Sequence, residues 1–341
     1  MHARGDDFRP NHLSRGVPAE QLGGIPSKSD DLGGVPAALK RLVEAIDAGG
    51  THVMIADISK FFTKIRKGDV LKKMSSLTDD QKFIDLFYQG ICIDLDNADQ
   101  LSRRKHLFPY GDVGVGQGVC LSPFIGNLIL SDFDKEMNRD DCTCIRYIDD
   151  IIIIAPSGKA GSSKMRLAKR LLSALGMEIS EEKSSLVPIP VNQKFEYLGI
   201  EFSSDKMRPS KKSRTSIQQR CKEVAAKSIS EMHSCKKAQD FSKEYSIPKT
   251  LDKISGMVRG WSHHYKFCND VETIRNVDRE IAKSFLLYAG KAQSLSQAAV
   301  EKGQLELATM FLGYAGSKDV KFSPLVRNSP AVACQTEAIL P

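Results

Sequence analysis

The sequence lacks any apolar run approaching the ~20 residues that a membrane-spanning helix needs. Residues 151–155 form an apolar run of strand length, and residues 1–7 lack the apolar core of a signal peptide. The eight cysteines include no Cys-x-x-Cys pair, which argues against a disulfide scaffold or a common zinc motif. We therefore expect a cytoplasmic protein without a membrane partner.

Two cysteines, Cys142 and Cys144, and two histidines, His263 and His264, are of the residue types that bind zinc. The spacing of these residues fits none of the common zinc patterns. Reduced cysteines with a structural role are the simpler interpretation.

Acidic residues are scarce in one part of the chain. The net charge is +7, and residues 206–237 contain ten lysines and arginines but only two glutamates. Apolar residues at helical spacing mark a buried side, so the segment is predicted to be a basic helix that binds nucleic-acid phosphates. A solvated charged helix is the alternative. The candidate contacts are Lys211, Lys212, Arg214 and Arg220.

The hydrophobic pattern predicts an α+β fold with an antiparallel sheet covered by helices. Helices are expected at residues 37–48, 68–90 and 162–176, and after a Gly-rich turn up to residue 137. Strands are expected at residues 53–57, 184–189 and 194–203, with a hairpin at 144–154. The predicted divisions are residues 1–50, 51–205, 206–290 and 291–341.

Three acids stand out in this pattern. Asp57 ends an apolar strand, and Asp149 and Asp150 occupy the turn of an apolar hairpin. Buried carboxylates are costly unless they are paired or bind a metal. Phosphoryl transfer uses two divalent cations about 3.5–4 Å apart, and Mg²⁺ prefers oxygen ligands. Adjacent strand ends would bring the three acids together for this purpose, although ordinary turn aspartates are the alternative.

The segment Tyr147-Ile148-Asp149-Asp150 resembles the Tyr-x-Asp-Asp box of reverse transcriptases, in particular the prokaryotic group II intron-like, retron-like and defence-associated enzymes. Further segments resemble the family's motifs in the same order: residues 56–62, residues 116–123 with Asn127 and Leu130, residues 175–183, residues 195–199, and Gly260-Trp261 with Tyr265. The resemblance covers residues 36–270. It implies a right-hand polymerase palm at residues 51–205, short fingers before it, and a helical, basic thumb after it.

The resemblance also implies a role for each matching residue. Asp57, Asp149 and Asp150 would bind two Mg²⁺ ions, which Mn²⁺ could replace, with the Ile58 carbonyl as a further ligand. Lys183 would be a fourth catalytic residue, acting on the pyrophosphate. Phe62 would be the gate that excludes a 2′-hydroxyl, while the neighbouring Phe61 packs in the core. RNA-dependent RNA polymerases usually carry Gly-Asp-Asp and a polar gate residue, so both differences favour DNA synthesis.

Other implied contacts concern the nucleotide, the primer and the template. Gln117 and Gly118 would lie beside the incoming deoxynucleotide, with Arg15 and Lys28 as candidates for its triphosphate. The basic residues named above would hold an RNA template and its heteroduplex with the primer. The remaining primer and template contacts would be Tyr147, Leu198, Gly199 and Trp261.

The chain departs from the family in two places. Gly116 stands where the family usually has Pro, which makes the position of Gln117 less constrained. About fifty residues precede the strand of Asp57, so the fingers are short. A non-coding RNA, a protein partner or a second copy is expected to complete them.

The function expected from the resemblance is RNA-directed DNA polymerase activity that extends a primer with deoxynucleotides. No endonuclease or DNA-binding segment is recognisable, so we expect a stand-alone bacterial enzyme in phage defence that works with a non-coding RNA. Two alternatives stay open. One is a catalytically silent maturase or RNA scaffold on a polymerase fold, and the other is a template-independent or protein-primed DNA polymerase.

Overall fold

The computed structural model describes residues 34–92 and 111–314. The chain divides into two compact units, one running to Arg214 and including His264–Ile274, the other formed by Thr215–His263 and the residues from Arg275 onward. Within the described ranges, none of the helices combines the length and apolarity that a bilayer crossing requires.

The first unit alternates helices with short strands. Its first part contains α1 (Gly34–Asp47), β1 (His52–Asp57), α2 (Phe61–Lys64), α3 (Lys67–Ser75) and α4 (Gln81–Ile91). Its middle part contains α5 (Ser122–Met137), β2 (Thr143–Tyr147), β3 (Asp150–Ala155) and α6 (Gly158–Ala174). Four short strands follow: β4 (Ile189–Pro190), β5 (Phe195–Tyr197), β6 (Ile200–Ser203) and β7 (Lys206–Pro209).

The larger sheet has the strand order β2-β3-β1-β4, and its pairs are antiparallel. Strand β3 is one of its two inner strands, and its four isoleucines are buried on both faces of the sheet. Ile151 and Ile153 pack into a core with α5 and α6, while α1 packs on β2 and β3. The α+β class and the antiparallel sheet are therefore confirmed, with the acids at the ends of apolar strands.

The smaller sheet, β5-β6-β7, corrects two predictions. Residues 194–203 are not one strand but a hairpin, because Leu198 and Gly199 both have positive φ and form a two-residue turn. Residues 206–209 belong to strand β7 and not to the basic helix. Arg208 lies opposite Glu201 on β6 and donates to its carboxylate at 2.6 Å, so this cross-strand pair favours a strand where composition alone suggested a helix.

The second unit is helical. Helix α7 (Lys211–Ser234) begins in the first unit and is followed by α8 (Ile247–His264), α9 (Val271–Glu301) and α10 (Leu305–Phe311). One apolar cluster joins Ile217 and Cys221 of α7 to residues of α8 and α9, and a second includes Tyr288 of α9 and Phe311 of α10. In the first unit, the predicted helix at residues 68–90 is in fact two helices, α3 and α4. The second begins after Asp80, because the Asp80 side chain caps it by accepting from the Phe83 N–H at 3.1 Å.

Candidate active site

Three carboxylates lie at one end of the larger sheet. Asp57, the last residue of β1, is directly opposite Asp150, the first residue of β3. The Ile58 N–H donates to the Asp149 carbonyl at 3.0 Å, which ties the end of β1 to the β2–β3 turn. The structure thus brings together the acids that the sequence singled out.

Burial and mutual repulsion shape the electrostatics of this cluster. Asp57 is only 9% exposed, and Asp149 and Asp150 are half-buried. Burial, together with the charges of Asp149 and Asp57, raises the pKa of Asp150 to about 6. Burial and, to a smaller degree, the charge of Asp57 also raise the pKa of Asp149. The cluster therefore holds more negative charge than its surroundings compensate.

Lys183 supplies part of the missing positive charge. Its Nζ lies 3.3 and 3.2 Å from the two carboxylate oxygens of Asp57, while 68% of its side chain remains exposed. The hydrogen bond and charge of Asp57 raise the pKa of Lys183, so the ammonium is maintained at neutral pH. The predicted catalytic lysine thus contacts an acid of the cluster.

The segment after Lys183 binds the edge of β1, a feature that sequence reasoning missed. The hydroxyls of Ser184 and Ser185 accept from the backbone N–H groups of Asp57 and Ile55, at 3.1 and 2.9 Å. The Ser185 N–H in turn donates to the Ile55 carbonyl at 2.8 Å. These contacts hold Lys183 next to Asp57. The two serines directly after the lysine were the available signal.

The donor chemistry of the cluster fits a hard divalent cation, because its ligand atoms are carboxylate oxygens. As the side chains stand, however, no group of three His, Cys, Asp or Glu residues in the described ranges is arranged to hold a metal ion. Binding would therefore require the carboxylates to rotate, with Lys183 moving from Asp57. The predicted contribution of the Ile58 carbonyl stays a prediction.

The two phenylalanines after β1 have different environments. Phe61 is 2% exposed and packs against Gly126 of α5, where an added Cβ would lie only 2.8 Å from the ring. Phe62 is only partly buried, and its carbonyl accepts from the Val115 N–H at 2.9 Å. This difference supports the choice of Phe62 over Phe61 as the gate.

The loop that contains Gln117 is anchored at its base and exposed at its tip. The Ser122 hydroxyl donates to the buried Gly116 carbonyl at the start of α5. Gln117 and Gly118 are exposed, and Gly118 has a φ of +84°, which favours glycine. The hydrogen bond from Val115 to Phe62 connects this loop to the residue proposed as the gate.

The candidate primer contacts occupy two turns of the first unit. Tyr147 ends β2, opposite Asp150, and burial raises its pKa. Leu198 and Gly199 form the β5–β6 turn, and the Ser210 N–H donates to the Gly199 carbonyl at 2.9 Å. The Tyr197 hydroxyl donates to the Ile145 carbonyl at 3.3 Å, so this hairpin is bonded to β2.

The remaining candidates are more scattered. Lys211 and Lys212 are exposed in the first turn of α7, and Arg214 is half-buried in the same unit. Arg220 and Trp261 belong to the second unit, where Trp261 packs against an apolar cluster. The predicted triphosphate contacts, Arg15 and Lys28, lie outside the described residues.

One charged residue next to the acids was overlooked in the sequence. Arg146 on β2 is buried, and its guanidinium pairs with the Asp134 carboxylate of α5 through bonds of 2.8 and 2.5 Å. An arginine within the apolar strand Thr143–Tyr147 was the available signal, because a buried cation needs partners.

Comparison with known proteins agrees with this geometry. The profile of the family described as reverse transcriptase (RNA-dependent DNA polymerase) matches residues 21–202, more than half of the chain. No curated protein matches the chain.

Solved structures with similarity to the chain include two fungal telomerases. Apo telomerase from Candida tropicalis is 13% identical, with 88% of this chain and 52% of that one covered and a TM-score of 0.42. Telomerase from Candida albicans in complex with a fragment of telomeric RNA is 11% identical, with 89% and 55% covered and a TM-score of 0.41. The chain spans about half the length of these structures.

Proposed function

The chain belongs to the reverse transcriptase family, and from that premise we propose that it is an active RNA-directed DNA polymerase that extends a primer with deoxynucleotides. The observation that carries the proposal is the cross-strand pairing of Asp57 with Asp150, with Asp149 in the adjoining turn. Burial of these acids and, to a smaller degree, their mutual repulsion disfavour the charged cluster, as the raised pKa values of Asp149 and Asp150 indicate. A protein without a cation to bind would gain nothing from such a cluster.

In this proposal, Asp57, Asp149 and Asp150 hold two Mg²⁺ ions, or Mn²⁺ in their place, with the Ile58 carbonyl as an additional ligand. Such ions, when bound, stabilise the attacking and leaving oxygens of phosphoryl transfer. Lys183 has a long, largely exposed side chain that can turn from Asp57 towards the pyrophosphate. There it would donate a hydrogen bond or a proton to the leaving oxygen.

We propose that Phe62 and the loop of Gln117 and Gly118 form the nucleotide pocket. The partly exposed Phe62 ring would press against C2′ of the sugar and exclude a ribonucleotide. The exposed Gly118 would let the backbone approach the base pair closely. Support comes from the hydrogen bond that joins the Gln117 loop to the Phe62 carbonyl. Arg15 and Lys28 stay candidate contacts for the triphosphate.

We propose that turn residues of the first unit contact the primer end and that mainly basic residues hold the template–primer duplex. Tyr147, Leu198 and Gly199 would contact the primer end. The backbone of the heteroduplex would be held by Lys211, Lys212, Arg214, Arg220 and Trp261. Contacts of this kind recognise backbone and shape, so little base specificity is expected.

The biological setting is a proposal that rests on the sequence motifs. They favour a prokaryotic, cytoplasmic enzyme of the group II intron-like, retron-like or defence-associated type. We further propose that a non-coding RNA or a protein partner contributes to the triphosphate site. A role in phage defence is consistent with both features.

The direct test is primer extension on an RNA template with deoxynucleotides and Mg²⁺, followed by sequencing of the product. Asp149→Asn should lower the rate by about 10³ or more, because metal-mediated charge stabilisation contributes several kcal/mol. Asp79→Asn, an exposed acid before α4, is the matched control and should be neutral. Product unrelated to the template would favour template-independent synthesis. RNA binding without synthesis would favour a silent maturase or scaffold.

A further inference from the structure

The buried side chain of Arg146 has every one of its donors engaged. Its side chain is 1% exposed. Its Nε and Nη2 donate to the Asp134 carboxylate, and Nη1 and Nη2 both donate to Asn127 Oδ1 at 3.2 Å. The remaining donor of Nη1 reaches the Ile148 carbonyl at 3.0 Å. Since a guanidinium has five N–H donors, this network satisfies all of them.

The residue that Arg146 reaches has an unfavourable backbone conformation. Ile148 has a φ of +60°, in the left-handed region. A β-branched residue in this region is a genuine outlier, because the branched Cβ crowds the backbone. Such conformations persist only where the surrounding structure enforces them, and they often occur at functional sites.

Two hydrogen bonds hold the turn that contains Ile148. The Ile148 carbonyl accepts from Arg146, and the next carbonyl, that of Asp149, accepts from the Ile58 N–H. The first bond fixes the turn to α5 through Arg146, and the second fixes it to the strand end that carries Asp57. Together they fix the backbone position from which the Asp149 side chain extends.

The two α5 residues that bind Arg146 are spaced to fit its planar guanidinium. Asn127 and Asp134 are seven residues apart, so they lie two turns apart on one face of the helix. Asn138, four residues further, bonds the same strand through the backbone of Cys144, at 2.9 and 3.1 Å. Arg146 therefore extends from a rigid helix–strand junction. A lysine could not replace it, because one ammonium cannot span three partners in a plane.

We propose that Arg146 is a positioning residue: anchored by Asp134 and Asn127, it holds Ile148 in the left-handed conformation and thereby keeps Asp149 beside Asp57. This inference rests on the proposed function, since the position of Asp149 matters because that residue binds the catalytic ions. The competing explanation is that Arg146 only stabilises the fold through its ion pair with Asp134.

A double-mutant cycle separates the two explanations. Arg146→Lys keeps a cation near Asp134 but loses the planar guanidinium and its hydrogen bonds. Ile148→Gly removes the steric cost of the left-handed conformation. In the parent, Arg146→Lys should lower kcat by about 10–100-fold, with a change in the deoxynucleotide KM below about threefold, since small misplacements of catalytic groups have effects of this size. In the Ile148→Gly background, the same substitution should cost less than about threefold.

The second readout is Mn²⁺ affinity, measured by titration calorimetry without nucleotide. Arg146→Lys should weaken it in the parent and change it little in the Ile148→Gly background. Arg139→Lys, at an exposed arginine near the end of α5, is the control and should have no effect in either background. If Arg146→Lys fails to fold, Asn127→Ala replaces it, because it leaves the ion pair with Asp134 in place. The same pattern with a smaller effect is then expected.

Equal losses from Arg146→Lys in both backgrounds, in kcat and in Mn²⁺ affinity, would overturn the positioning role and leave only the structural one. The two proposals can fail separately. A protein that makes no DNA but shows the expected pattern of Mn²⁺ affinities would retain the positioning role and lose the polymerase function. A protein that makes DNA but loses as much from Arg146→Lys in the Ile148→Gly background as in the parent would retain the polymerase function and lose the positioning role.

Discussion

Asp57 and Asp150 lie directly opposite each other in antiparallel strands, so two acids face one another at the end of an apolar sheet. Like charges in facing positions destabilise a sheet. Lys183 bonds to Asp57, and the pKa of Asp150 remains raised, to about 6. In the metal-free protein the charged form of Asp150 is therefore disfavoured, first by burial and then by the neighbouring acids, and a bound cation would relieve this cost.

The cost of this buried charge predicts that Asp150→Asn stabilises the metal-free protein while it lowers synthesis. At pH 8 in EDTA, the free energy of unfolding should rise by about 1 kcal/mol, after allowance for the solvent screening of a half-exposed group. Urea denaturation measures the change, and Asp79→Asn is the surface control. A variant that is less stable than the parent would show that the charge of Asp150 does not destabilise the metal-free protein.

The pH dependence of this difference follows from the direction of the pKa shift. The folded pKa of Asp150 is raised to about 6 from an ordinary value of 3.8. Between these values the unfolded chain releases the proton first, so the parent loses stability as pH rises through this window. The advantage of Asp150→Asn should be small below pH 4 and complete above pH 6. A constant advantage at all pH values would point to packing and not to charge.

Much of this site could be predicted from local sequence, because its acids terminate strands with a clear apolar pattern. The run of isoleucines from Ile151 fixed the hairpin, and Asp57 follows an equally apolar strand. The contacts of Arg146 could not be predicted in this way, since Asn127 and Asp134 reach it only through the packing of α5 on the sheet. The pairing of Lys183 with Asp57, far away in sequence, is likewise a tertiary contact.

The prediction errors have a similar cause. The basic residues of strand β7 continue the composition of α7, so composition alone predicts a helix there. Its conformation depends on cross-strand partners, such as Glu201 opposite Arg208, that composition does not reveal. Leu198 has a φ of +50°, which its residue type disfavours, so the β5–β6 turn was also missed.

The different environments of Phe61 and Phe62 predict separate effects of their substitution. Phe62→Ala should reduce the preference for deoxynucleotides over ribonucleotides by about 10–100-fold, because a pocket that loses its packing discriminates poorly. Phe61→Ala should instead destabilise the protein by about 3–5 kcal/mol without changing that preference. Single-nucleotide incorporation kinetics with both sugars measure the ratio, and urea denaturation measures stability. If Phe62→Ala leaves the sugar preference unchanged, the gate lies elsewhere.

The exposed lysines at the start of α7 predict a change in the salt dependence of nucleic-acid binding. Each phosphate contact adds about 0.9 to the slope of log affinity against log salt concentration on B-form DNA. Replacing Lys211 and Lys212 by alanine should therefore lower the slope for a primed RNA template by about 1–2, with little effect on base preference.

The control for this measurement is Lys40→Ala on α1, an equally exposed lysine whose Nζ lies 3.8 Å from Glu44. It should leave the slope unchanged if the contacts are local to α7. Fluorescence anisotropy at several salt concentrations gives the slopes for all variants. If only overall charge matters, Lys40→Ala, which removes one charge, should lower the slope by half as much as the double variant, which removes two. No loss at Lys211 and Lys212 would remove the start of α7 from the proposed template–primer surface.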